Sequence, residues 1–404
     1  MREIILFEEK GRRHAALLED GEVCEYFAYE REKSSSLAGA IFKGRVERIV
    51  PGMDAAFVDL GLEKNGFLLL KEAPGFQGLK SARPSLQTGQ EILVQVKKDP
   101  MGQKGAYLTR DITFPGTYVV FLPLDAFIGV SQRVQNEQER ELLQSLGREL
   151  APSDTGLVMR SASLPVGRED IAQEIAALQE AWQEVQRLYP QKNAPQLLYE
   201  NPDPFTEMLR DYPAREIGRI ITNVKNLPAP GMEVTYVPDE NLLASFGVLS
   251  QVEKALHRKV WLKSGGYLII DLCEAMTVID VNTGKFTGKK LLEDTIFTLN
   301  KEACLEIARQ VRLRGLGGII LIDFIDMQED HHRQVVLETL KTELNRDRIK
   351  TVVHGFTSLG LTECTRKKSK TPLHLLMSMP CPSCMGSGRI RAKEGQERED
   401  SLNG

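Results

Sequence analysis

The most informative segments of this sequence are two short apolar runs that each end in an aspartate, VID at residues 278–280 and ILID at residues 320–323. Both are short and rich in aliphatic residues, which is typical of strands buried in a sheet. Outward from them the sequence alternates strand-like and helix-like segments, and this alternation predicts an α/β sheet over residues 265–376. The predicted strands are 267–272, 275–281, 318–325 and 351–356, and the predicted helices are 291–313 and 329–346.

Each of the two stretches carries an aspartate near its end, Asp280 in the first and Asp323 in the second. If the strands are neighbours, the two carboxylates offer oxygen ligands to Mg²⁺, which usually takes one or two protein carboxylates and keeps several waters. Asn282 follows Asp280 on the same side of the strand, where it could orient a carboxylate, a water or a phosphate. Neither stretch contains His or Cys, which argues against zinc. The alternative is that each aspartate caps the turn or helix after its strand.

The bulk composition is that of a globular protein: 404 residues, 42% hydrophobic and 27% charged, with a formal net charge of −4. This length predicts roughly two to four domains. The small net charge excludes a histone-like polycation, so a nucleic-acid surface would have to be a local basic patch. The six cysteines are mostly isolated, acids follow the first apolar run, and no stretch approaches the roughly 20 apolar residues of a membrane helix. These features predict a reduced, cytoplasmic protein without a membrane span.

Residues 36–110 are predicted to form an all-β unit. Its expected strands are 41–46, 55–61, 65–70, 89–96 and 105–109, and strands joined by glycine-rich turns suit an OB-type barrel. Such barrels bind single-stranded nucleic acid by stacking bases on aromatic rings in a basic groove. Phe57 and Phe67 fall on adjacent predicted strands and could supply the rings, but a phenylalanine in a barrel strand is also ordinary core. The basic residues expected nearby are Lys43, Arg45 and Lys104.

The segments on either side of the barrel region give weaker signals. Residues 1–35 have the pattern of a β-meander with an Asp20-Gly21 hairpin turn. Because this segment is too short to be a domain, we expect it to complete a sheet whose other strands lie elsewhere in the chain. In the mixed region 111–205, Arg160-Ser161 follows a predicted strand, and a guanidinium beside a hydroxyl suits either a phosphate pocket or a solvated strand end.

Cys381-Pro382-Ser383-Cys384 is the one place where two cysteines stand close in sequence. Two thiolates at this spacing chelate one metal, and structural zinc needs four ligands. Since the chain offers only two at this spacing, the motif predicts a zinc ion shared between two chains and therefore a homodimer. The alternative is a redox pair, but such a pair normally begins a helix after a strand, and here Gly and Pro surround it.

Together and in this order, these motifs resemble one family, the RNase E/RNase G endoribonucleases of bacteria, and within it the short RNase G type. The similarity runs from residue 1 to about residue 390. The segments that carry it are KGRV at 43–46, AAFVDLG at 55–61, GFL at 66–68, IDVNTG at 279–284, RLR at 312–314, GGIILIDFIDM at 317–327 and CPSC at 381–384.

The resemblance implies a composite fold of α+β and α/β parts. The implied parts are an RNase H-like subdomain (1–35 and 206–255), an inserted OB-type RNA-binding barrel (36–110), a 5′-monophosphate sensor region (111–205), a DNase I-like catalytic subdomain (256–377), a zinc-link (378–390) and a disordered tail (391–404). In this arrangement the N-terminal meander would pair with strands far downstream.

The resemblance also implies roles for single residues. These are catalysis and Mg²⁺ binding by Asp280 and Asp323 with Asn282 positioning, RNA binding by Phe57, Phe67, Lys104, Lys43 and Arg45, 5′-phosphate sensing by Arg160, Ser161, Val120 and Lys350, and Zn²⁺ binding by Cys381 and Cys384. The sensor departs from the usual pattern, because Ser161 replaces a threonine and Lys350 replaces a second arginine. A lysine cannot donate a two-pronged fork, so we expect an altered dependence on the 5′ phosphate.

The predicted function is hydrolysis of single-stranded RNA, as in rRNA processing and mRNA decay, leaving 5′-phosphate and 3′-hydroxyl ends. The zinc motif makes the enzyme a homodimer, and pairing of dimers into a homotetramer is left open. Two alternatives remain at this point. One is a non-catalytic RNA-binding factor in which the acids are structural, and the other is a Mg²⁺ phosphatase, which would have no use for the barrel.

Overall fold

We describe the chain from a computed structural model. The described residues are 2–30, 37–70, 86–100, 104–164, 166–200, 204–212, 216–227, 229, 232–284, 292–368, 371–384 and 388. The tail expected at 391–404 lies outside them.

The secondary structure mixes strands and helices along the whole chain. The strands are β1 Arg2–Glu9, β2 Arg12–Glu19, β3 Glu22–Glu30, β4 Ile41–Val50, β5 Ala55–Asp59, β6 Gly66–Leu69, β7 Glu91–Lys98, β8 Tyr107–Thr109, β9 Phe114–Pro115, β10 Val119–Leu122, β11 Ile128–Val130, β12 Gly156–Met159, β13 Gln196–Tyr199, β14 Ile217–Thr222, β15 Val234–Tyr236, β16 Lys259–Trp261, β17 Tyr267–Leu272, β18 Met276–Asn282, β19 Gly318–Asp323, β20 Thr351–Phe356 and β21 Thr362–Arg366. The helices are α1 Glu137–Leu150, α2 Arg168–Leu188, α3 Pro204–Asp211, α4 Leu242–Ser245, α5 Val248–Lys254, α6 Leu292–Leu313, α7 Asp330–Leu344 and α8 Leu373–Met377.

The chain divides into two compact units. The first comprises residues 1–14 and 29–238, and the second comprises residues 15–28 and 239–404. Each unit has hydrophobic core of its own.

The first unit contains a closed barrel. Strands β4, β5, β6, β8 and β7 pair in that order, and β4 also pairs with β7, which closes the ring. Val46, Val58 and Leu68 point inward from neighbouring strands and are fully buried, as alternation along a barrel strand requires. The OB-like barrel predicted from the sequence is therefore confirmed.

The N-terminal strand of the first unit pairs with distant strands. β1 runs parallel to β14, with Ile4 opposite Ile220 and Ile5 opposite Ile221, and β14 runs parallel to β15. The meander thus completes a sheet with downstream strands, as expected from its short length. In the second unit, Asp20 and Gly21 take φ values of 52° and 83°, which is the turn geometry that the Asp-Gly pair predicts.

Residues 111–205 of the first unit form a small sheet with helices packed on it. The strand order is β11-β12-β10-β9. The core beneath α2 is aromatic, because Trp182 and Phe121 both lie against Phe114, with ring centroids 6.2 and 6.5 Å from it. The helices of this region are α1 and α2, followed by the short α3 at its end.

The sheet of the second unit has the strand order β16-β17-β18-β19-β21-β20. β18 and β19 are parallel, and the other neighbours are antiparallel. Helices α6 and α7 contribute to the core on one face of the sheet. Leu299, Ala303 and Ile307 recur at helical spacing along α6 and are fully buried with Ile279 and Ile320 of the sheet. The alternate residues of the strands therefore project from the other face, which we call the open face.

Two strands of this sheet were not predicted from the sequence. β16 has only three residues, and β21 reads TECTR, without an apolar run. β16 pairs with β17, the next strand along the chain, and β21 pairs with both β19 and β20, so each strand depends on its partners more than on its own composition. None of the helices in the described part of the chain combines the length and apolar composition that crossing a membrane requires.

Candidate active site

Asp280 and Asp323 lie side by side on the open face of the second unit. β18 and β19 are in register, with Ile279 opposite Ile322 and Asp280 opposite Asp323. Because both isoleucines are buried in the core, the next residue of each strand must point to the other face. Neighbouring strands lie about 4.8 Å apart, so the two carboxylates share one small region of the surface. Asp280 is half-buried and Asp323 is exposed.

Asn282 holds one of these carboxylates in place. Its Nδ2 atom donates a hydrogen bond to Oδ2 of Asp280 over 2.8 Å. The two residues can meet because they are two apart on one strand and share a face. Among the described residues, no hydrogen bond to Oδ1 of Asp280 is observed, so this oxygen is available to another group.

The electrostatics of the pair favour a cation. Although the Asp323 side chain is exposed, the part that the protein covers loses hydration, and this loss raises the pKa of Asp323; the negative charges of Asp280 and Asp326 raise it further. Like charges held close together disfavour ionisation of each other, and a cation between them removes this cost. A cation bound between the two carboxylates therefore reduces the electrostatic repulsion between them.

A buried asparagine fixes the loop that follows Asp323. Asn300 of α6 is fully buried; its Nδ2 donates to the backbone carbonyl of Ile325 over 2.8 Å, and its Oδ1 accepts from the backbone N–H of Ile325 over 3.2 Å. A buried amide is stable only when its polar atoms are paired. Sequence analysis did not predict this clamp. Asn300 is a polar residue within α6, and its position on the apolar face of that helix is the signal that could have indicated a buried, paired amide.

A second support joins the start of α6 to the start of α7. The carboxylate of Glu293 accepts hydrogen bonds from the backbone N–H groups of Gln328 and Glu329, over 3.1 and 3.3 Å. Nδ1 of His332 lies 3.1 Å from the same carboxylate, and its ring stacks on Phe297 with centroids 4.1 Å apart. These hydrogen bonds, first that of His332, lower the pKa of Glu293. His332 therefore braces the loop, and its sequence position gave no hint of this role.

The possible metal ligands near the carboxylates are few. Among the described residues, no group of three or more His, Cys, Asp or Glu side chains is arranged to hold a metal ion. The Asp280–Asp323 pair is thus a two-carboxylate site with an amide beside it. This donor set fits a hard cation that keeps water ligands, such as Mg²⁺, and does not fit structural zinc.

The barrel of the first unit carries a row of aromatic rings. Phe57 and Phe67 are direct cross-strand partners, with ring centroids 5.7 Å apart, and Tyr107 continues the row 6.1 Å from Phe67. All three are half-exposed. Two cations flank them, with Cζ of Arg48 5.2 Å from the ring centroid of Phe57 and Nζ of Lys98 5.7 Å from that of Tyr107. Tyr107, Arg48 and Lys98 were not predicted, because only strand pairing brings them together.

The basic residues that were predicted for this surface are placed differently. Lys43 is 7% exposed, its Nζ lies 2.8 Å from a carboxylate oxygen of Glu91, and it donates to two backbone carbonyls. The expected RNA contact does not fit this burial, so we do not assign Lys43 to the RNA surface. Arg45 also contacts Glu91 and a backbone carbonyl, but it is exposed. Lys104 is exposed.

The predicted 5′-phosphate residues are partly engaged by the protein. Arg160 donates to a backbone carbonyl over 2.5 Å and to Oδ1 of Asp211 over 2.9 Å. Ser161 begins a short 3-10 turn directly after it. Val120 is half-buried in β10, the strand that pairs with β12. Lys350 belongs to the second unit and is exposed.

The cysteine pair has the chemistry of a metal knuckle. Cys381 is exposed and Cys384 is half-buried, and neither forms a disulfide. The backbone N–H groups of Cys384 and Ser383 donate to the Cys381 sulfur and lower the pKa of this thiol. A stabilised thiolate is a good metal ligand, and this pair supplies two of the four ligands that structural zinc requires.

Comparison with known proteins gives one consistent result. A family model described as "Ribonuclease E/G family" matches residues 113–369. Ribonuclease G of Escherichia coli (strain K12) is 40% identical over 399 residues, covering 93% of this chain and 82% of that protein. Ribonuclease G of Haemophilus influenzae is 39% identical over 420 residues, covering 97% and 84%, and Ribonuclease E of Synechocystis sp. is 35% identical over 389 residues, covering 91% and 58%. The chain therefore belongs to the ribonuclease E/G family.

Proposed function

We propose that this chain is a Mg²⁺-dependent endoribonuclease that cuts single-stranded RNA and leaves 5′-phosphate and 3′-hydroxyl ends. The observation that carries the proposal is the in-register pair Asp280 and Asp323 on an open sheet face, in a chain that belongs to a ribonuclease family. A non-catalytic RNA-binding factor would have no need for two crowded carboxylates.

The residues of the site have distinct tasks in this reaction. Asp280 and Asp323 would hold Mg²⁺, which supplies positive charge to a phosphate and lowers the pKa of a nearby water. Asn282 keeps the Asp280 carboxylate in one orientation, and Asn300 keeps the backbone after Asp323 in one conformation. The water oxygen bonds to phosphorus, the bond from phosphorus to the 3′ oxygen breaks, and that oxygen takes a proton. The products are therefore a 5′ phosphate and a 3′ hydroxyl.

The barrel selects the substrate. Phe57, Phe67 and Tyr107 present half-exposed rings, and stacking on such rings requires unpaired bases. Each stacked base contributes about 1–3 kcal/mol to binding. We therefore assign single-stranded RNA as the substrate, with Lys104 and the exposed Arg45 as further contacts.

We also propose that Arg160, Ser161 and Val120 sense a 5′ monophosphate; a sensing role for Lys350 stays a prediction from the family resemblance. Arg160 shares its guanidinium with Asp211, so a phosphate would compete with this carboxylate. This competition weakens the preference for a 5′ phosphate.

The cysteine pair supports a shared zinc site. Cys381 and Cys384 would supply half of a Zn²⁺ site and the same residues of a second copy would supply the other half, so the enzyme would be a homodimer. We propose a cytoplasmic enzyme of rRNA processing and mRNA decay, and association of dimers into a homotetramer belongs to the same proposal.

One cleavage assay tests the function. The chain is incubated with a 5′-labelled single-stranded RNA and Mg²⁺, with and without a chelator, alongside the Asp280→Asn and Asp323→Asn variants. We expect internal cuts only with the wild type and Mg²⁺, and retained RNA binding by both variants. Binding without any cut would favour the RNA-binding factor, release of the terminal label as phosphate would favour the phosphatase, and full activity of Asp280→Asn would refute the site.

A further inference from the structure

A second aromatic cluster lies on the open face of the sheet that carries the two aspartates. It consists of Lys259 and Trp261 of β16 and Tyr267 of β17. The rings of Trp261 and Tyr267 meet edge to face, with centroids 5.3 Å apart. Trp261 is 58% exposed, which is unusual for a large aromatic side chain with no other task.

The cluster carries an unpaired positive charge. Nζ of Lys259 lies 4.2 Å from the ring centroid of Trp261 and 3.9 Å from that of Tyr267. In the described part of the chain, Lys259 makes no ion pair. The neighbouring Arg258 is different, because it forms a salt bridge with Asp271. The Lys259 ammonium, unlike the Arg258 guanidinium, is therefore free to contact an anionic ligand.

Strand pairing places the cluster beside the carboxylates. Lys259 lies opposite Ile269, which lies opposite Asp280, which lies opposite Asp323. In the adjacent row, Trp261 lies opposite Tyr267 and Tyr267 lies opposite Asn282. Cross-strand partners share a face. Two strand spacings, roughly 10 Å, thus separate Lys259 and Trp261 from the strand of Asp280 and Asn282, and one spacing, roughly 5 Å, separates Tyr267 from Asn282.

An ordinary structural explanation accounts for only part of this arrangement. A lysine on an edge strand such as β16 discourages strand addition, and a cation above a ring contributes about 0.5–1 kcal/mol at an exposed site. Neither effect requires a tryptophan that leaves more than half of its surface in water. Proteins bind single-stranded nucleic acid through exposed aromatic rings beside cations. This cluster has both, next to the proposed cleavage site.

We propose that Lys259, Trp261 and Tyr267 form a base-stacking subsite for the RNA next to the scissile phosphate. A base stacks on Trp261, Tyr267 supports the indole ring from its edge, and the Lys259 ammonium contacts a backbone phosphate. This inference rests on the proposed function of Asp280 and Asp323, and it adds an RNA contact within the catalytic unit itself.

Intrinsic fluorescence reports on this subsite directly. The chain has two tryptophans, and Trp182 is 5% exposed, so a base that stacks on the protein surface quenches Trp261. A short single-stranded RNA is titrated in the presence of a chelator, which prevents cleavage. We expect quenching in the wild type and in Trp182→Phe, and loss of quenching with nearly unchanged affinity in Trp261→Phe.

The affinity of further variants measures each contribution. We expect Trp261→Ala to weaken RNA binding by about 5- to 150-fold, the range for one stacked base. Lys259→Gln should reduce the slope of log K against log salt by about 0.7, as for one lost phosphate contact. Leu272→Ala is the matched control, because Leu272 is an exposed apolar residue of β17 outside the cluster, and its affinity should stay unchanged.

These fluorescence and binding experiments can refute the subsite and leave the nuclease proposal unaffected. No quenching of the wild type by bound RNA, or wild-type affinity in Trp261→Ala, refutes the subsite. Cleavage activity of Asp280→Asn refutes the nuclease assignment, whereas quenching and its loss in Trp261→Phe would still establish the RNA contact. Weakened binding in Leu272→Ala equal to that in Trp261→Ala would show a general effect on the sheet and also refutes the subsite.

Discussion

The clamp between Asn300 and Ile325 allows a quantitative test of how the fold supports the site. Asn300 is fully buried and pairs with both backbone groups of Ile325. Asn300→Ala removes both hydrogen bonds and leaves a backbone donor and a backbone acceptor without partners. Each unpaired buried group costs about 1–3 kcal/mol. Because Ile325 is half-buried and water can reach part of the loop, we expect a loss of about 2–4 kcal/mol in the free energy of unfolding.

The same substitution should change catalysis more than RNA binding. Ile325 stands two residues after Asp323, so release of the clamp loosens the carboxylate while the barrel surface is untouched. At a temperature where the variant is folded, we expect a reduced kcat, a raised Mg²⁺ concentration for half-maximal activity, and a nearly unchanged KM for RNA. Asn300→Asp is a second variant, because its carboxylate can still accept from the Ile325 N–H but cannot donate to the carbonyl. Since it places a negative charge at a fully buried position, its loss of stability at neutral pH should be at least as large as that of Asn300→Ala.

Urea unfolding measures the stability, and cleavage of a labelled RNA across a Mg²⁺ titration measures the catalytic effect. Asn345→Ala, at an exposed position beyond α7, is the surface control. The reasoning is refuted if Asn300→Ala keeps the wild-type kcat and Mg²⁺ dependence, or if its loss of stability does not exceed that of the control.

Three further predictions concern other parts of the molecule. Loss of hydration and neighbouring carboxylates raise the pKa of Asp323, so ionised Asp323 destabilises the fold, and this penalty disappears as the pH falls through the raised pKa. Cleavage needs the ionised form and should therefore decrease in the same pH window. Asp326→Asn removes one of the neighbouring charges and should move the acidic limb of the pH–rate profile to lower pH. An acidic limb unaffected by Asp326→Asn would contradict this. Cys381→Ser with Cys384→Ser should remove bound zinc and halve the mass measured by light scattering, whereas replacing another exposed cysteine should not; an unchanged mass would count against the shared zinc site. Phe67→Ala should weaken binding of single-stranded RNA by about 1–3 kcal/mol in a filter-binding assay without Mg²⁺, and equal affinity would remove the barrel rings from the RNA surface.

Much of this fold could be read from local sequence patterns. The strands 267–272 and 351–356 have the predicted bounds, and α6 begins one residue from its predicted start. The barrel strands were also predictable, because alternating apolar residues between glycine-rich turns are a local signal. The candidate site was visible for the same reason, since Asp280 and Asp323 each stand near the end of an apolar run.

Other features depend on pairing between segments that are distant in sequence. Pairing of β4 with β7 brings Lys43 beside Glu91, its ion-pair partner, and the position of Tyr107 beside Phe67 follows from the parallel pairing of β6 and β8. No local pattern contains this information. The same holds for the clamp of Asn300 on Ile325.

Local sequence patterns are enough to place the two aspartates near strand ends and to predict a barrel with aromatic residues before them. The parallel pairing of β18 and β19, in the register that sets Asp280 opposite Asp323 and with Trp261 and Tyr267 on the same face, emerges from the folded chain. It depends on the two-residue period of a strand. A shift of one residue in the register would turn every side chain of a strand to the other face, and burial of Ile279 and Ile322 in the core selects the register that leaves both carboxylates outside.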